Sequence, residues 1–132
     1  MRISHAMIHV SNLEKSIDFY CSKLNMTLIR KKDYPEGKFT LAFVGYGDEQ
    51  YNTVIELTYN WDVDAYDLGD GFGHVAIQVE DIYAFCEDLK NRGVKIVREP
   101  GPMKHGQTII AFIQDPTGYK IELIQDSKGV RS

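Results

Sequence analysis

An internal repeat is the feature of this 132-residue chain that most constrains its fold. The segment HAMIHV, which begins at His5, matches HVAIQV, which begins at His74, at a spacing of 69 residues (74 − 5). The segment LAFV at 41–44 matches IAFI at 110–113 at the same spacing (110 − 41). Because both segments are rich in residues typical of strands, the repeat predicts two similar halves built around β-sheet.

Each copy also carries one histidine and one glutamate at matching places, His5 with Glu56 and His74 with Glu122. The glutamates are 66 residues apart (122 − 56), so the second copy has lost three residues between its last two strands (69 − 66). A glutamate flanked by apolar strand residues is costly to bury unless it is paired or coordinated. Two imidazoles and two carboxylates form an N2O2 set for a divalent ion, suited to octahedral Ni, Co, Mn or Fe, with Zn also possible. The repeat therefore predicts a metal site.

Each copy is expected to contain a strand, a helix and three further strands. In the first copy, apolar residues recur at three- and four-residue steps from Leu13 to Leu24, which predicts an amphipathic helix that ends at Asn25. The remaining expectations for that copy are a strand that ends before Ser11, strands over 26–30, 39–44 and 53–59, and a loop over 31–38. In the second copy they are strands over 74–79, 94–98, 108–113 and 119–124, a helix over 80–91, and a loop over 100–106.

The expected fold class is α+β, with two βαβββ repeats forming a curved mixed sheet that has its helices on the outside. A single domain over 1–132 is expected, with halves of about 1–60 and 74–126 joined by a linker over 61–73 and a frayed tail after 126. Neither half is expected to stand alone, because a four-stranded sheet with one helix leaves its other face exposed.

Composition excludes several classes of function. The net charge of −4 argues against a nucleic-acid partner, which needs a basic face. No apolar run approaches the roughly 18 residues of a membrane span, and the first residues do not resemble a secretory signal. The two cysteines, Cys21 and Cys86, form no CxxC pair and are expected to be reduced thiols. These features favour a cytoplasmic protein that acts on small molecules.

The paired halves resemble the vicinal oxygen chelate superfamily. Within it, the segments LEKSIDFY, LAFVGYG, VIELTYNW, GFGHVAI and AFIQDPTGYKIELI resemble the bacterial glyoxalase I family. The resemblance implies a lyase that isomerises the hemithioacetal of methylglyoxal and glutathione to S-lactoylglutathione through a metal-bound cis-enediolate, which detoxifies methylglyoxal. A carboxylate beside the metal would shuttle the proton, with Glu122 as the first choice and Glu56 as its counterpart.

The resemblance also implies a homodimer with active sites between subunits. His5 and Glu56 would come from one chain, and His74 and Glu122 from the other. The short chain, without an N-terminal extension, resembles the bacterial group that prefers Ni or Co over Zn.

Four further residues are expected to bind the substrate. Asn60 matches a family position that holds the glutamyl end of glutathione, and Lys104 and His105 lie where relatives place cations near its glycine carboxylate. His9 stands where relatives carry an arginine. Because histidine is shorter and loses its charge near neutral pH, this departure bears on the affinity for the thiol and on its identity.

Other functions on the same fold remain as alternatives. Extradiol dioxygenases keep three ligands, thiol transferases lack a glutamate at the position of Glu56, and epimerases of this fold tend to carry a glutamine among the four. A metal-free small-molecule binding module would lose the ligand quartet. Glu56 therefore disfavours the first three alternatives, and the intact quartet disfavours the fourth.

Overall fold

The computed structural model describes residues 1–127. Most of the tail expected after 126 therefore lies outside the described residues. The backbone contacts divide the chain into two compact units, Met1–Asp67 and Leu68–Ser132. Each unit contains one copy of the repeat and one four-stranded mixed sheet, so the predicted α+β class and the βαβββ order are confirmed.

The first unit begins with a strand and a short helix and ends with three strands. Its elements are β1 (His5–His9), α1 (Leu13–Ile17), a π-helical segment (Asp18–Lys23), β2 (Thr27–Tyr34), β3 (Phe39–Gly45) and β4 (Val54–Asn60). The strand order is β1-β4-β3-β2, in which β1 and β4 are parallel and the other pairs are antiparallel.

The second unit repeats this arrangement. Its elements are β5 (His74–Val79), α2 (Ile82–Asn91), β6 (Lys95–Pro102), β7 (Ile109–Gln114) and β8 (Lys120–Gln125). The strand order is β5-β8-β7-β6, and β5 and β8 are the parallel pair. Across the described residues, no helix is long and apolar enough to cross a membrane.

The helix boundaries follow the capping residues. The Asn12 side chain accepts a hydrogen bond from the Lys15 backbone N–H at 3.1 Å at the start of α1, as an N-cap residue does. Asn25 adopts a φ of 63° just beyond the helical segment, the left-handed conformation that commonly ends a helix. The predicted helical span is confirmed, but its second part is π-helical, which the apolar spacing did not predict.

Two predicted loops are wrong at their starts. The chain at 31–34 continues β2, because Asp33 and Tyr34 stay in antiparallel register with Thr40 and Phe39. The predicted loop at 100–106 likewise begins as strand, since β6 extends to Pro102. Both β2 and β6 are edge strands, and an edge position tolerates prolines that a central strand would exclude.

Strand alternation separates an apolar core from the predicted metal ligands in each unit. A buried row of Ile8, Ala42 and Leu57 crosses the first sheet at registered positions. The second sheet has the equivalent buried row, which consists of Ile77, Ala111 and Leu123. Since successive side chains point to opposite faces, the glutamates next to Leu57 and Leu123 lie on the face opposite each core row.

Candidate metal centre

The first unit brings His5 and Glu56 together. His5 lies on β1 and Glu56 on the adjacent parallel strand β4, two positions beyond the residue that pairs with His5. The His5 Nε2 atom lies 3.1 Å from Glu56 Oε1. The imidazole is 41% exposed and the carboxylate side chain 14% exposed. A mostly buried carboxylate and a more accessible imidazole therefore lie side by side on one face of the sheet.

The second unit reproduces this geometry with His74 and Glu122. The His74 Nε2 atom lies 3.2 Å from Glu122 Oε1, and the side chains are 40% and 16% exposed. The parallel pairing of β5 and β8 places the two residues as β1 and β4 place the first pair. The duplication in the sequence thus extends to the distance and burial of each pair.

A phenylalanine supports each histidine. The rings of His5 and Phe43 meet edge to face at 5.5 Å between centroids, and those of His74 and Phe112 at 5.2 Å. Each phenylalanine is the cross-strand neighbour of the glutamate in its unit. Both phenylalanines belong to the repeated LAFV and IAFI segments. Their matching positions could have indicated a shared role, but no such role was predicted.

Each phenylalanine also has an arginine as its neighbour on the next strand, and neither arginine was predicted to belong to the site. The Arg30 guanidinium lies 3.7 Å from the Phe43 ring centroid and makes two hydrogen bonds to Glu49, at 2.6 and 3.2 Å. The hydrogen bond from Arg30 is the main cause that lowers the pKa of Glu49. Arg98 instead donates to three backbone carbonyls, those of Gly101, Pro102 and Ile110, and so stabilises the irregular pairing of β6.

The two glutamates differ in their second hydrogen-bonding partner. The Thr58 hydroxyl donates to Glu56 Oε2 at 2.9 Å, while Oε1 of the same carboxylate faces His5. The position equivalent to Thr58 is Ile124 (58 + 66), which has no hydroxyl. Within residues 1–127, the Glu122 carboxylate has His74 as its one polar partner.

Two of the expected substrate-binding residues meet through a tyrosine. His9 stacks on Tyr66 with ring centroids 5.1 Å apart and planes inclined by 13°. The Asn60 amide donates to the Tyr66 hydroxyl at 3.1 Å. Tyr66 was not selected from the sequence, because it lies in the predicted linker, where no strand period indicates a facing direction.

The other two expected substrate-binding residues, Lys104 and His105, lie in the turn between β6 and β7. This turn is closed by hydrogen bonds from the Met103 N–H to the Thr108 carbonyl and from the Gly106 N–H to the Met103 carbonyl. Both side chains are exposed. A neighbouring cavity of about 490 Å³ is lined by Glu122, by the apolar side chains of Met103, Ile109, Ile110 and Ile124, and by polar residues that include Gln78, Gln107 and Thr108.

The donor chemistry of the two pairs fits a divalent metal. Two adjacent ligands of an octahedral ion, each about 2.1 Å from it, lie about 3.0 Å apart, which is close to the 3.1 and 3.2 Å of the two pairs. Imidazole nitrogen and carboxylate oxygen are both ligands for borderline divalent ions. The structure brings the four predicted ligands together as two pairs, and residues 1–127 contain no group of three or more His, Cys, Asp or Glu side chains able to hold an ion.

Comparisons with known proteins cover nearly the whole chain. Residues 2–123 match the family model described as the Glyoxalase/Bleomycin resistance protein/Dioxygenase superfamily. The chain is 65% identical over 127 residues to a probable lactoylglutathione lyase of Synechocystis sp., which covers 96% of this chain and 97% of the relative. It is 61% identical over 129 residues to a lactoylglutathione lyase of Neisseria meningitidis, covering 98% of this chain and 94% of the relative.

A solved structure of similar fold is glyoxalase I from Zea mays. It superposes with a TM-score of 0.93 at 50% sequence identity and covers 96% of this chain. This chain spans 45% of the length of the maize protein.

Proposed function

Because the chain belongs to the glyoxalase/bleomycin resistance protein/dioxygenase superfamily, and because its relatives of 61 and 65% identity are lactoylglutathione lyases, we infer that it catalyses the lactoylglutathione lyase reaction. It converts the hemithioacetal of methylglyoxal and glutathione into S-lactoylglutathione and so removes methylglyoxal. The resemblance to the glyoxalase I family is confirmed. The alternative functions on this fold have no comparable support, since relatives at this identity carry the lyase name over almost their full length.

The proposed metal ligands are His5, Glu56, His74 and Glu122. The observation that carries this assignment is the duplicated contact between a histidine Nε2 and a glutamate Oε1, at 3.1 and 3.2 Å. When bound, a divalent ion would supply a Lewis acid that stabilises the negative charge developing on the two substrate oxygens. Ni or Co is proposed as the preferred ion, with Zn as the alternative.

Glu122 is proposed to move the proton. The reaction takes a proton from the carbon that bears sulfur and hydroxyl, and returns a proton to the neighbouring carbon that began as the ketone. A carboxylate placed between the two carbons can do both as general base and then general acid. In Glu122, Oε1 faces His74 and Oε2 can face the substrate. In Glu56, both oxygens already have partners.

The remaining site residues are proposed to hold glutathione, which has two carboxylates and one ammonium group. Asn60 and His9, linked through Tyr66, would bind the glutamyl end. Lys104 and His105 would bind the glycine carboxylate. Both side chains are exposed on one short turn, and each can donate a hydrogen bond to a carboxylate. The apolar side chains in the cavity beside Glu122, among them Ile110 and Ile124, would then limit the access of water to the reacting carbons.

A homodimer is proposed from the resemblance to the glyoxalase I family, in which active sites lie between subunits. Two copies of the chain would complete each site, with His5 and Glu56 from one copy and His74 and Glu122 from the other. A cytoplasmic location is proposed, since methylglyoxal and glutathione react there and reduced Cys21 and Cys86 are compatible with it.

Metal reconstitution tests the proposed function. The protein is treated with chelator, and Ni²⁺, Co²⁺, Mn²⁺ or Zn²⁺ is added separately before thioester formation is followed by ultraviolet absorbance. We expect Ni²⁺ or Co²⁺ to restore activity and Zn²⁺ to restore little. Tight metal binding without thioester formation would retain the metal site but reject glutathione as the thiol, and would direct attention to His9. Activity that is independent of added metal would contradict the proposal.

A further inference from the structure

The two His–Glu pairs are alike except for what lies beside the carboxylates. The distances from Nε2 to Oε1 agree within 0.1 Å (3.2 − 3.1), and both glutamates are mostly buried. Each histidine rests against a phenylalanine. The chemical difference at the equivalent neighbouring position is the Thr58 hydroxyl in the first unit and the Ile124 side chain in the second.

Thr58 is well placed to hold Glu56 still. It lies two residues beyond Glu56 on the same face of β4, which runs between β1 and β3 in the sheet. Thr58 is 8% exposed, so water competes little for its hydroxyl. Its branched side chain is stiff about χ1, and a hydroxyl-to-carboxylate hydrogen bond of 2.9 Å is charge-assisted.

Ile124 has a similar branched shape but cannot donate a hydrogen bond. The terminal torsion of a glutamate is soft when neither oxygen is fixed by a second donor. Oε1 of the Glu122 carboxylate is held by His74, and Glu122 also lines the cavity next to the turn between β6 and β7. Two glutamates that are equivalent in the repeat therefore differ in rotational freedom.

We propose that Thr58 is a positioning residue that fixes Glu56 as a stationary metal ligand, and that the absence of a hydroxyl at Ile124 leaves Glu122 free to turn during proton transfer. This inference rests on the proposed function. On this inference, the Thr58 hydroxyl determines which glutamate stays fixed as a metal ligand and which one transfers the proton.

The first test compares Thr58→Val with Thr58→Ser. Valine keeps the branched shape and removes the hydroxyl, whereas serine keeps the hydroxyl and removes the methyl group. Ni²⁺ affinity is measured by chelator competition on the full-length protein, which requires no turnover. We expect Thr58→Val to weaken Ni²⁺ binding about tenfold, as is typical when a group that orients a metal ligand is lost, and Thr58→Ser to stay within about twofold of the parent.

The second test adds the hydroxyl to the other copy. Ile124→Thr places a donor beside Glu122, and Ile124→Val is the control for lost packing without a hydroxyl. We expect Ile124→Thr to lower kcat about tenfold relative to Ile124→Val, with KM and Ni²⁺ affinity within about twofold. This pair leaves Thr58 and its unit unaltered, so it tests the proposal even where Thr58→Val unfolds.

Three outcomes would overturn the proposal. Equal Ni²⁺ affinity in Thr58→Val and Thr58→Ser would show that the hydroxyl does not orient Glu56. Equal kcat in Ile124→Thr and Ile124→Val would show that restraint of Glu122 is irrelevant. A parent protein that binds no Ni²⁺ would overturn both this inference and the proposed metal site. By contrast, a parent protein that binds Ni²⁺ but forms no thioester would contradict only the proposed reaction. The role of Thr58 would still be tested, because that comparison measures Ni²⁺ affinity.

Discussion

Replacing Glu122 by glutamine should separate proton transfer from folding. Glutamine keeps the volume of glutamate and one oxygen that can face His74 across the present 3.2 Å contact. What it loses is the negative charge and the basic oxygen. Because the structural contact can be retained, we expect the free energy of unfolding to change by less than about 1 kcal/mol.

The expected loss of kcat in Glu122→Gln is about 1,000-fold, from the 10²- to 10⁴-fold that a positioned general base contributes. At 1.36 kcal/mol for each factor of ten, this corresponds to about 4 kcal/mol of transition-state stabilisation. The assay is the initial rate of thioester formation with Ni²⁺-loaded protein, together with KM, metal content and urea unfolding.

A matched control is Glu99→Gln in the same unit, which removes a carboxylate that pairs with Lys90 on the surface at 3.0 Å. It should leave kcat within about twofold, because a surface ion pair contributes little. If Glu122→Gln kept more than a tenth of the parental kcat at normal metal content, Glu122 would not be the base. If Glu99→Gln lost as much activity, the effect would follow from net charge and not from position.

Three further predictions concern recognition, stability and pH. His9→Arg should lower KM for the glutathione adduct about tenfold, because arginine is longer and presents a charged, forked donor to a carboxylate; initial rates at varied substrate concentration measure this. Thr40→Val should reduce the free energy of unfolding, measured in urea, by about 2 kcal/mol. The buried Thr40 hydroxyl donates to Asp33 Oδ1 at 2.7 Å and accepts from Trp61 Nε1 at 2.9 Å. Thr40→Ser keeps this hydroxyl and should retain most of the parental stability. Although the Tyr46 side chain is 52% exposed overall, its hydroxyl donates to a backbone carbonyl, and desolvation raises the pKa of Tyr46 to about 12. The folded state then holds this proton more tightly than the unfolded state, so the parent should lose stability from about pH 10 to 12 relative to Tyr46→Phe, as measured by thermal unfolding.

The strands and helices of the fold followed from local patterns that the sequence displays directly. Alternation and turn residues predicted all eight strands, and the spacing from Leu13 to Leu24 predicted the first helix. The predicted ends of β2 and β6 were wrong, because the charged run near Lys31 and the prolines near Pro100 suggest loops. Their strand character comes from hairpin pairing with β3 and β7, which the residue types at these positions do not indicate.

The candidate site could be predicted only in part for the same reason. The repeat predicted that the two histidines and two glutamates would be metal ligands, but not that parallel pairing of β1 with β4 and of β5 with β8 would bring each histidine beside the glutamate of its own unit. Nor did it predict that Phe43 would support His5 or that Arg30 would lie over Phe43, because these contacts depend on antiparallel register and on a bulge between Leu28 and Arg30. Tyr66 lies outside any strand, and its packing against His9 follows from the path of the chain after β4.

Because the two copies have diverged at two positions, we expect the first unit to bind the glutamyl end of glutathione. The position of His9 corresponds to Gln78 (9 + 69), and that of Asn60 corresponds to Asp126 (60 + 66). In the second unit the Gln78 amide already donates to the Asp126 carboxylate at 2.7 Å, and an ionised carboxylate has no donor to offer the α-carboxylate of the glutamyl end. In the first unit the same two positions hold an imidazole and an amide joined through Tyr66. Duplication therefore accounts for the matched histidine–glutamate pairs, and the substitutions around them make the two units chemically different, as binding of an asymmetric substrate would require.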